Sequence, residues 1–241
     1  MKLPPLKDVD ISVVILCYKA GETISPFVAK MKRHLIERGL RFELILVANY
    51  NSGEESVDWT PRVVKRLSET DETIVIVSGE KQGMFGWDVR SGLALASGRF
   101  ITFIDGDGQM PAQDVVRVFD EIIVKKADMA QTFRVKRHDS LERIFISRVY
   151  NMLLRILFPK VSVYDANSKP KIFTREALQK LDIHSDDWFV DAEMVIQGSE
   201  LGFRIAQIPT VFLKNKHRSS FVKISSIIEF LVNLVRYRFF R

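Results

Sequence analysis

Arg99-Phe-Ile-Thr-Phe-Ile-Asp-Gly-Asp-Gly-Gln109 decides how the chain folds, because an apolar run leads without a break into two carboxylates separated by one glycine. The aromatic and β-branched residues of Arg99–Ile104 are of the kind buried on both faces of a parallel sheet, and Asp105 falls where such a strand leaves the core. Ligands of open α/β sheets bind at that edge. Asp105 and Asp107 are hard oxygen donors, and the glycines beside them let a ligand approach the backbone closely. Together they suit Mg²⁺ or Mn²⁺ bridging the phosphates of a nucleotide. The same residues also fit a polar turn before a helix, since Pro111 with Asp114 behind it is a good helix start. The stretch by itself allows both readings.

Working outward, strand-like runs recur at Ile11–Cys17, Phe42–Val47 and Thr73–Val77, with helical patterns near Thr23–Arg38, Pro61–Ser68 and Phe85–Ala96 between them. Gly39 and Gly98 stand as helix stops. This alternation predicts an α/β fold with a doubly wound, mainly parallel sheet. Beyond Gln109 the pattern predicts a helix from about Pro111 to Lys125 and a strand at Asp128–Phe133. An apolar helix carrying Arg143, Arg148 and Arg155 follows at Ser140–Phe158. Further strands are expected at Lys171–Thr174 and Phe203–Ile208, with a helix near Val190–Leu201. The last segment, Ile224–Phe240, reads as a helix whose narrow polar stripe is Ser226, Glu229, Asn233 and Arg236. At about 1.5 Å per residue it is short for a bilayer span, so it is expected either to lie in a membrane interface or to pack on the body.

The 241 residues are 46% hydrophobic, enough to bury a full core as one large α/β domain. Cys17 is the only cysteine and lies in an apolar run, which excludes an internal disulfide framework and fits a reducing compartment. Neither a signal-peptide core nor a bilayer-length apolar run is visible. The net charge of +6 is unevenly placed: residues 131–160 carry seven Lys/Arg against two Asp/Glu, and residues 204–241 carry eight against one. Both basic segments are interleaved with aliphatic residues and lack an aromatic stacking platform. They therefore point to phosphate-bearing lipid and away from nucleic acid.

An EF-hand reading of Asp105-Gly-Asp107-Gly-Gln109 fails, because the required glycine position is Met110, the bidentate glutamate position is Val116, and the preceding segment is a strand. There is also no Gly-x-x-x-x-Gly-Lys-Ser/Thr loop and no Gly-x-Gly-x-x-Gly after the first strand, so phosphate binding falls mainly to a metal.

Four segments in order resemble the family-2 glycosyltransferases of A-type (GT-A) fold, closest to the dolichyl- and polyprenyl-phosphate sugar transferases. They are Ser12–Glu22, Lys81–Gly98, Ile104–Pro111 and Asp165–Phe173 followed by Trp188–Glu193. The resemblance implies a single unit over 1–241: a nucleotide-sugar half to about 110, an acceptor half over 111–215, and a C-terminal interfacial helix over 216–241. It implies metal binding by Asp105, Asp107 and Gln109, and donor binding by Cys17, Tyr18, Glu22, Ala48, Asn49, Lys81, Gly83 and Asp88. Where relatives end the second strand in paired aspartates, this chain has Ala48 and Asn49, which leaves the base open.

Arg134, Arg137, Lys216, Arg218 and Lys223 are candidates for an acceptor phosphate, since guanidinium forks suit phosphate oxygens. The resemblance puts Asp191 and Glu193 where soluble-acceptor relatives would place a base, able to deprotonate a sugar hydroxyl if the acceptor is a glycan. Asp186 and Asp187 are expected to cap the helix they precede, and Asp165 and Lys169 to line the acceptor entrance or shape a turn. The implied activity is inverting transfer of a sugar from a nucleotide-diphosphate donor to a polyprenyl phosphate, on the cytoplasmic face of a membrane. Two alternatives remain: transfer to a hydroxyl of a surface glycan, and a degenerate nucleotide-binding membrane scaffold.

Overall fold

The structure, a computed structural model, describes residues 1–137, 141–213 and 224–239. Its centre is a seven-stranded sheet. Strands β1 (Ile11–Leu16), β2 (Phe42–Val47), β3 (Ile74–Val77) and β4 (Phe100–Asp105) are joined through α1 (Ile24–Glu37), α2 (Thr60–Glu69) and α3 (Phe85–Leu93). They pair in parallel in the order β3-β2-β1-β4. After α4 (Asp114–Val124) come β5 (Met129–Arg137), α5 (Leu141–Leu157), β6 (Lys171–Thr174), α6 (Arg175–Lys180), α7 (Val190–Glu200), β7 (Ile205–Phe212) and α8 (Ile224–Phe239). The sheet continues as β4-β6-β5-β7, with β6 antiparallel to both neighbours and β5 parallel to β7.

Alternation along the strands explains the two cores. Val14, Leu16, Ile45, Val47, Ile101 and Phe103 face one side with α3 and α7, while Val13, Ile15, Leu44, Leu46 and Ile104 face the other with α1 and α4. A buried polar staple fixes the opposite end of these strands. Glu43 accepts from Ser12 Oγ at 2.6 Å and from the Ser97 backbone N–H at 2.7 Å, and Ser12 Oγ in turn accepts from Gly98 N–H at 2.8 Å. Removing the carboxylate strands buried donors. Glu43→Ala is therefore expected to lower unfolding free energy by about 2–3 kcal/mol in urea titration, with the strand-end site at the far edge unchanged in ligand response.

One expectation needs correction, and one element is added. Strand β5 does not stop at Phe133: it runs on beside β7, with an irregularity between Arg134 and Lys136. Arg134 and Arg137 thus lie within the strand and do not follow it, because ladder bonds are made by the backbone and a charged side chain does not end them. Helix α6 is an element that the sequence pattern does not announce. Thr174 caps it by accepting from Ala177 N–H at 3.1 Å, with Glu176 in its first turn.

Candidate active site

Register brings three chain segments to one edge. Leu16 lies opposite Val47 on one side and opposite Asp105 on the other, so Cys17-Tyr18, Ala48-Asn49 and Gly106-Asp107 emerge side by side. A Cβ on Gly106 would sit 2.7 Å from Ile24 Cδ1 and 3.0 Å from the Leu16 carbonyl oxygen, which leaves little space for a side chain, and Gly108 turns through a φ of +71°. Asp107 Oδ1 accepts from Gln109 N–H at 3.0 Å. Gln109 also ties this loop to the end of β7: its Nε2 donates to Leu213 O at 3.1 Å, and its carbonyl accepts from Leu213 N–H at 2.8 Å.

Three of the residues implied to bind a donor, Asn49, Lys81 and Asp88, form one polar cluster with Tyr18 against it. Asn49 Nδ2 donates to Asp88 Oδ1 at 2.9 Å, Lys81 forms an ion pair with Asp88, and the Lys81 ammonium lies 3.8 Å from the centre of the Tyr18 ring. Burial raises the Asp88 carboxyl above its ordinary range, and Lys81 and Asn49 offset only part of that effect. Tyr18 Oη donates to Glu54 and accepts from Asn51 Nδ2 at 2.6 Å. Cys17 and Ala48 are fully buried, with Cys17 Sγ against Ile15 O, so neither side chain faces a ligand. Burial pushes the Cys17 thiol well up. Glu22 instead pairs with Arg66 at 2.7 Å on the exposed surface, apart from this cluster. Gly83 lies against Asp186, whose Cβ would be 2.8 Å from a Cβ placed on the glycine.

On the other side of Asp105 runs a chain of alternating charges. Lys169 Nζ is 3.6 Å from Asp105 Oδ2 and 3.0 Å from Asp191 Oδ2, while Lys171 Nζ is 2.7 Å from Asp191 Oδ1. All but Asp105 are nearly inaccessible. Burial alone would raise the Asp191 carboxyl, but Lys169 and Lys171 outweigh it and hold it below the ordinary range. Burial and the neighbouring Lys169 lower Lys171 to about 8 despite Asp191. Arg134 forms a fork with Asp165, at 2.6 Å and 2.8 Å.

Residues 12–183 match the Glycosyl transferase family 2. The chain belongs to that family. Among relatives of the chain, Glycosyltransferase AglD of Haloferax volcanii is 26% identical over 83% of this chain and 32% of its own length. Dodecaprenyl-phosphate galacturonate synthase of Rhizobium johnstonii is 21% identical over 98% of this chain and 68% of its own. Dolichyl-phosphate beta-glucosyltransferase of Saccharomyces cerevisiae is 22% identical over 84% and 66%. The chain thus spans about a third to two thirds of these relatives. Its fold is the GT-A fold: glucosyl-3-phosphoglycerate synthase of Mycobacterium tuberculosis, solved with Mn²⁺, UDP and glucosyl-3-phosphoglycerate, superposes with a TM-score of 0.70 at 17% identity. That match covers 96% of this chain and 80% of the other.

In this member of family 2, Asp105 and Asp107 fit a divalent cation. Both are hard oxygen donors, Asp105 at the end of β4 and Asp107 two residues beyond it, and Mg²⁺ commonly takes one or two carboxylates and completes its shell with water and substrate phosphate. Among the described residues no three His, Cys, Asp or Glu side chains converge as a protein-only cage. Gln109 is engaged with Leu213, so its carboxamide braces the loop. Glu193, a second candidate base, accepts instead from His184 N–H at 3.1 Å and Ser185 N–H at 2.9 Å, and so anchors the approach to α7. Asp186 pairs with Arg90, and Asp187 accepts from Phe189 N–H at 2.8 Å and Asn233 Nδ2 at 2.6 Å. Lys216, Arg218 and Lys223 lie outside the described residues, as does the side chain of Arg137.

Sequence patterning does not single out Lys171. Its signal is a lysine inside the strand Lys-Ile-Phe-Thr, which must find a counter-charge if that strand is central.

Proposed function

We propose that the protein transfers a sugar, with inversion, from a nucleotide-diphosphate donor to a polyprenyl phosphate at the cytoplasmic face of a membrane, with Mg²⁺ or Mn²⁺. The observation that carries this reading is the register that brings Asp105 to the strand edge beside the Cys17 and Ala48-Asn49 segments, with Asn49 on Asp88 and Lys169 3.6 Å from Asp105. The relatives named for dodecaprenyl and dolichyl phosphate chemistry support the acceptor class.

Asp105 and Asp107 would hold the metal, which when bound neutralises charge on the departing diphosphate. The Asn49, Asp88, Lys81 and Tyr18 cluster backs the nucleoside, with the Asn49 amide held by Asp88 and Ser91. A phosphate acceptor is already ionised at neutral pH. Its oxygen attacks the anomeric carbon as the bond to the β-phosphate oxygen breaks, and no side chain needs to remove a proton. This suits Asp191, whose two lysines keep it a weak base; a hydroxyl acceptor would require a stronger one. Arg134 and Arg137 of β5, with Lys216, Arg218 and Lys223 beyond Leu213, present the acceptor phosphate. The binding half is tested by thermal shift with nucleoside diphosphates and Mn²⁺. One base should raise the midpoint only when the metal is present, and no shift with any of them contradicts the reading.

No helix among the described residues is long and apolar enough to cross a membrane. Helix α8 packs inward through Leu234 and Tyr237, and Asn233 turns to Asp187, so part of the polar stripe faces the body. Val232, Val235 and Phe239 are left on the outside, beside Arg236 and Arg238, with Met152 and Ile156 exposed on the adjoining α5. We take this as the membrane-facing surface, with arginines near the headgroups. Val232→Glu with Val235→Glu is expected to weaken flotation with anionic vesicles about tenfold or more while leaving the unfolding midpoint unchanged. Undiminished flotation would remove this surface from the account.

A further inference from the structure

We propose that Lys169 is a positioning residue that makes cation entry at Asp105 and Asp107 conditional on a nucleoside diphosphate. The inference rests on the donor reading above and concerns a lysine outside the Asp105-Gly-Asp107 motif. Its ammonium is anchored at 3.0 Å by Asp191, whose other oxygen is taken by Lys171, and it stops 3.6 Å from Asp105, beyond a normal hydrogen bond. The Phe85 ring lies 4.4 Å from the same ammonium, and Phe85 is itself stacked on Trp188 at 5.1 Å. Lys169 is thus held from two sides, and with a side chain only 9% exposed it has little room to swing into water.

Its charge therefore stays on Asp105 with little screening. Asp105, Asp107 and Asp191 together with Lys169 and Lys171 sum to a net charge of −1. A bare divalent cation meets two carboxylates, of which Asp105 already faces an ammonium at 3.6 Å. A diphosphate adds negative charge and further oxygen ligands at the same edge, so metal and nucleotide favour each other. By linkage the coupling is reciprocal. If Lys169 served only to neutralise Asp191, its removal would cost stability and leave the affinity for metal alone where it was.

The test is Mn²⁺ binding followed by electron paramagnetic resonance of the free ion, on the full chain, with Mn²⁺ alone and with Mn²⁺ plus UDP, GDP, CDP or ADP. Lys169→Met and Lys169→Gln should bind Mn²⁺ alone about tenfold more tightly than the wild type, and the gain in Mn²⁺ affinity from nucleotide should shrink by a similar factor. Lys169→Arg should behave as the wild type. Lys169→Gln retains a donor toward Asp191, so it serves if the methionine variant does not fold. Unchanged or weaker binding of Mn²⁺ alone by the folded neutral variants overturns the inference while leaving the donor reading intact. A wild type that binds Mn²⁺ with none of the nucleotides overturns both.

Discussion

Asp107→Asn lowers the rate of sugar transfer on the order of 10³-fold, the scale seen when a group stabilising developing charge is removed, and leaves the fold in place. The loop keeps its turn because Asp107 Oδ1 accepts there from Gln109 N–H. The carbonyl oxygen of asparagine can take the same hydrogen. What the substitution removes is the negative charge that a divalent cation needs beside Asp105. The loss should therefore be partly recovered at raised Mn²⁺, whereas chelation should silence the wild type. Initial rates over a Mn²⁺ series, with thermal unfolding in parallel, check both halves. A variant that keeps most of its activity would take the metal out of the mechanism.

Asp191→Asn has its largest effect on stability, about 3–5 kcal/mol at neutral pH, the usual cost of leaving a buried charge without its partner. The asparagine side chain can accept a hydrogen from one lysine but cancels the charge of neither, so Lys169 and Lys171 face each other across a neutral group. The deficit depends on pH with a definite sign. Asp191 is depressed in the folded state, so its contribution is present above the unfolded aspartate value of about 3.9 and is lost as pH falls through the lower folded value. The gap between wild type and variant therefore narrows below about pH 4. On the alkaline side Lys171, already lowered to about 8, binds fewer protons folded than unfolded, so stability from that group rises with pH above that point. Without Asp191 this rise begins at lower pH, and the variant recovers part of its loss. Urea unfolding of both proteins from pH 3 to 10 measures the gap; a gap constant with pH would contradict the ion-pair account.

The sheet was legible where periodicity and composition agree. β1, β2 and β4 are apolar runs bounded by turn residues, and their alternation with helices implied the parallel half. β6 pairs antiparallel through only four residues, too few to carry a direction in their pattern. The metal-side carboxylates were visible because Asp105 and Asp107 are neighbours in sequence. The charge chain was not, since Asp105, Lys169 and Asp191 are far apart along the chain and meet only when β4 pairs with β6 and α7 packs behind them. Glu193 shows the same limit in reverse. A helix N-terminal acid has the look of a base, yet its lone pairs are spent on the backbone N–H groups of His184 and Ser185. For α8 the helix was readable from its pattern, but which face meets the body depended on Leu234 and Asn233 finding partners in distant segments.

The most direct test follows a labelled sugar from its nucleotide-diphosphate donor into the organic phase, with purified protein, Mn²⁺ and defined acceptors. The account predicts a lipid-phase product that requires both the metal and a polyprenyl phosphate. Product formed equally well without polyprenyl phosphate, on a soluble sugar hydroxyl, would contradict it.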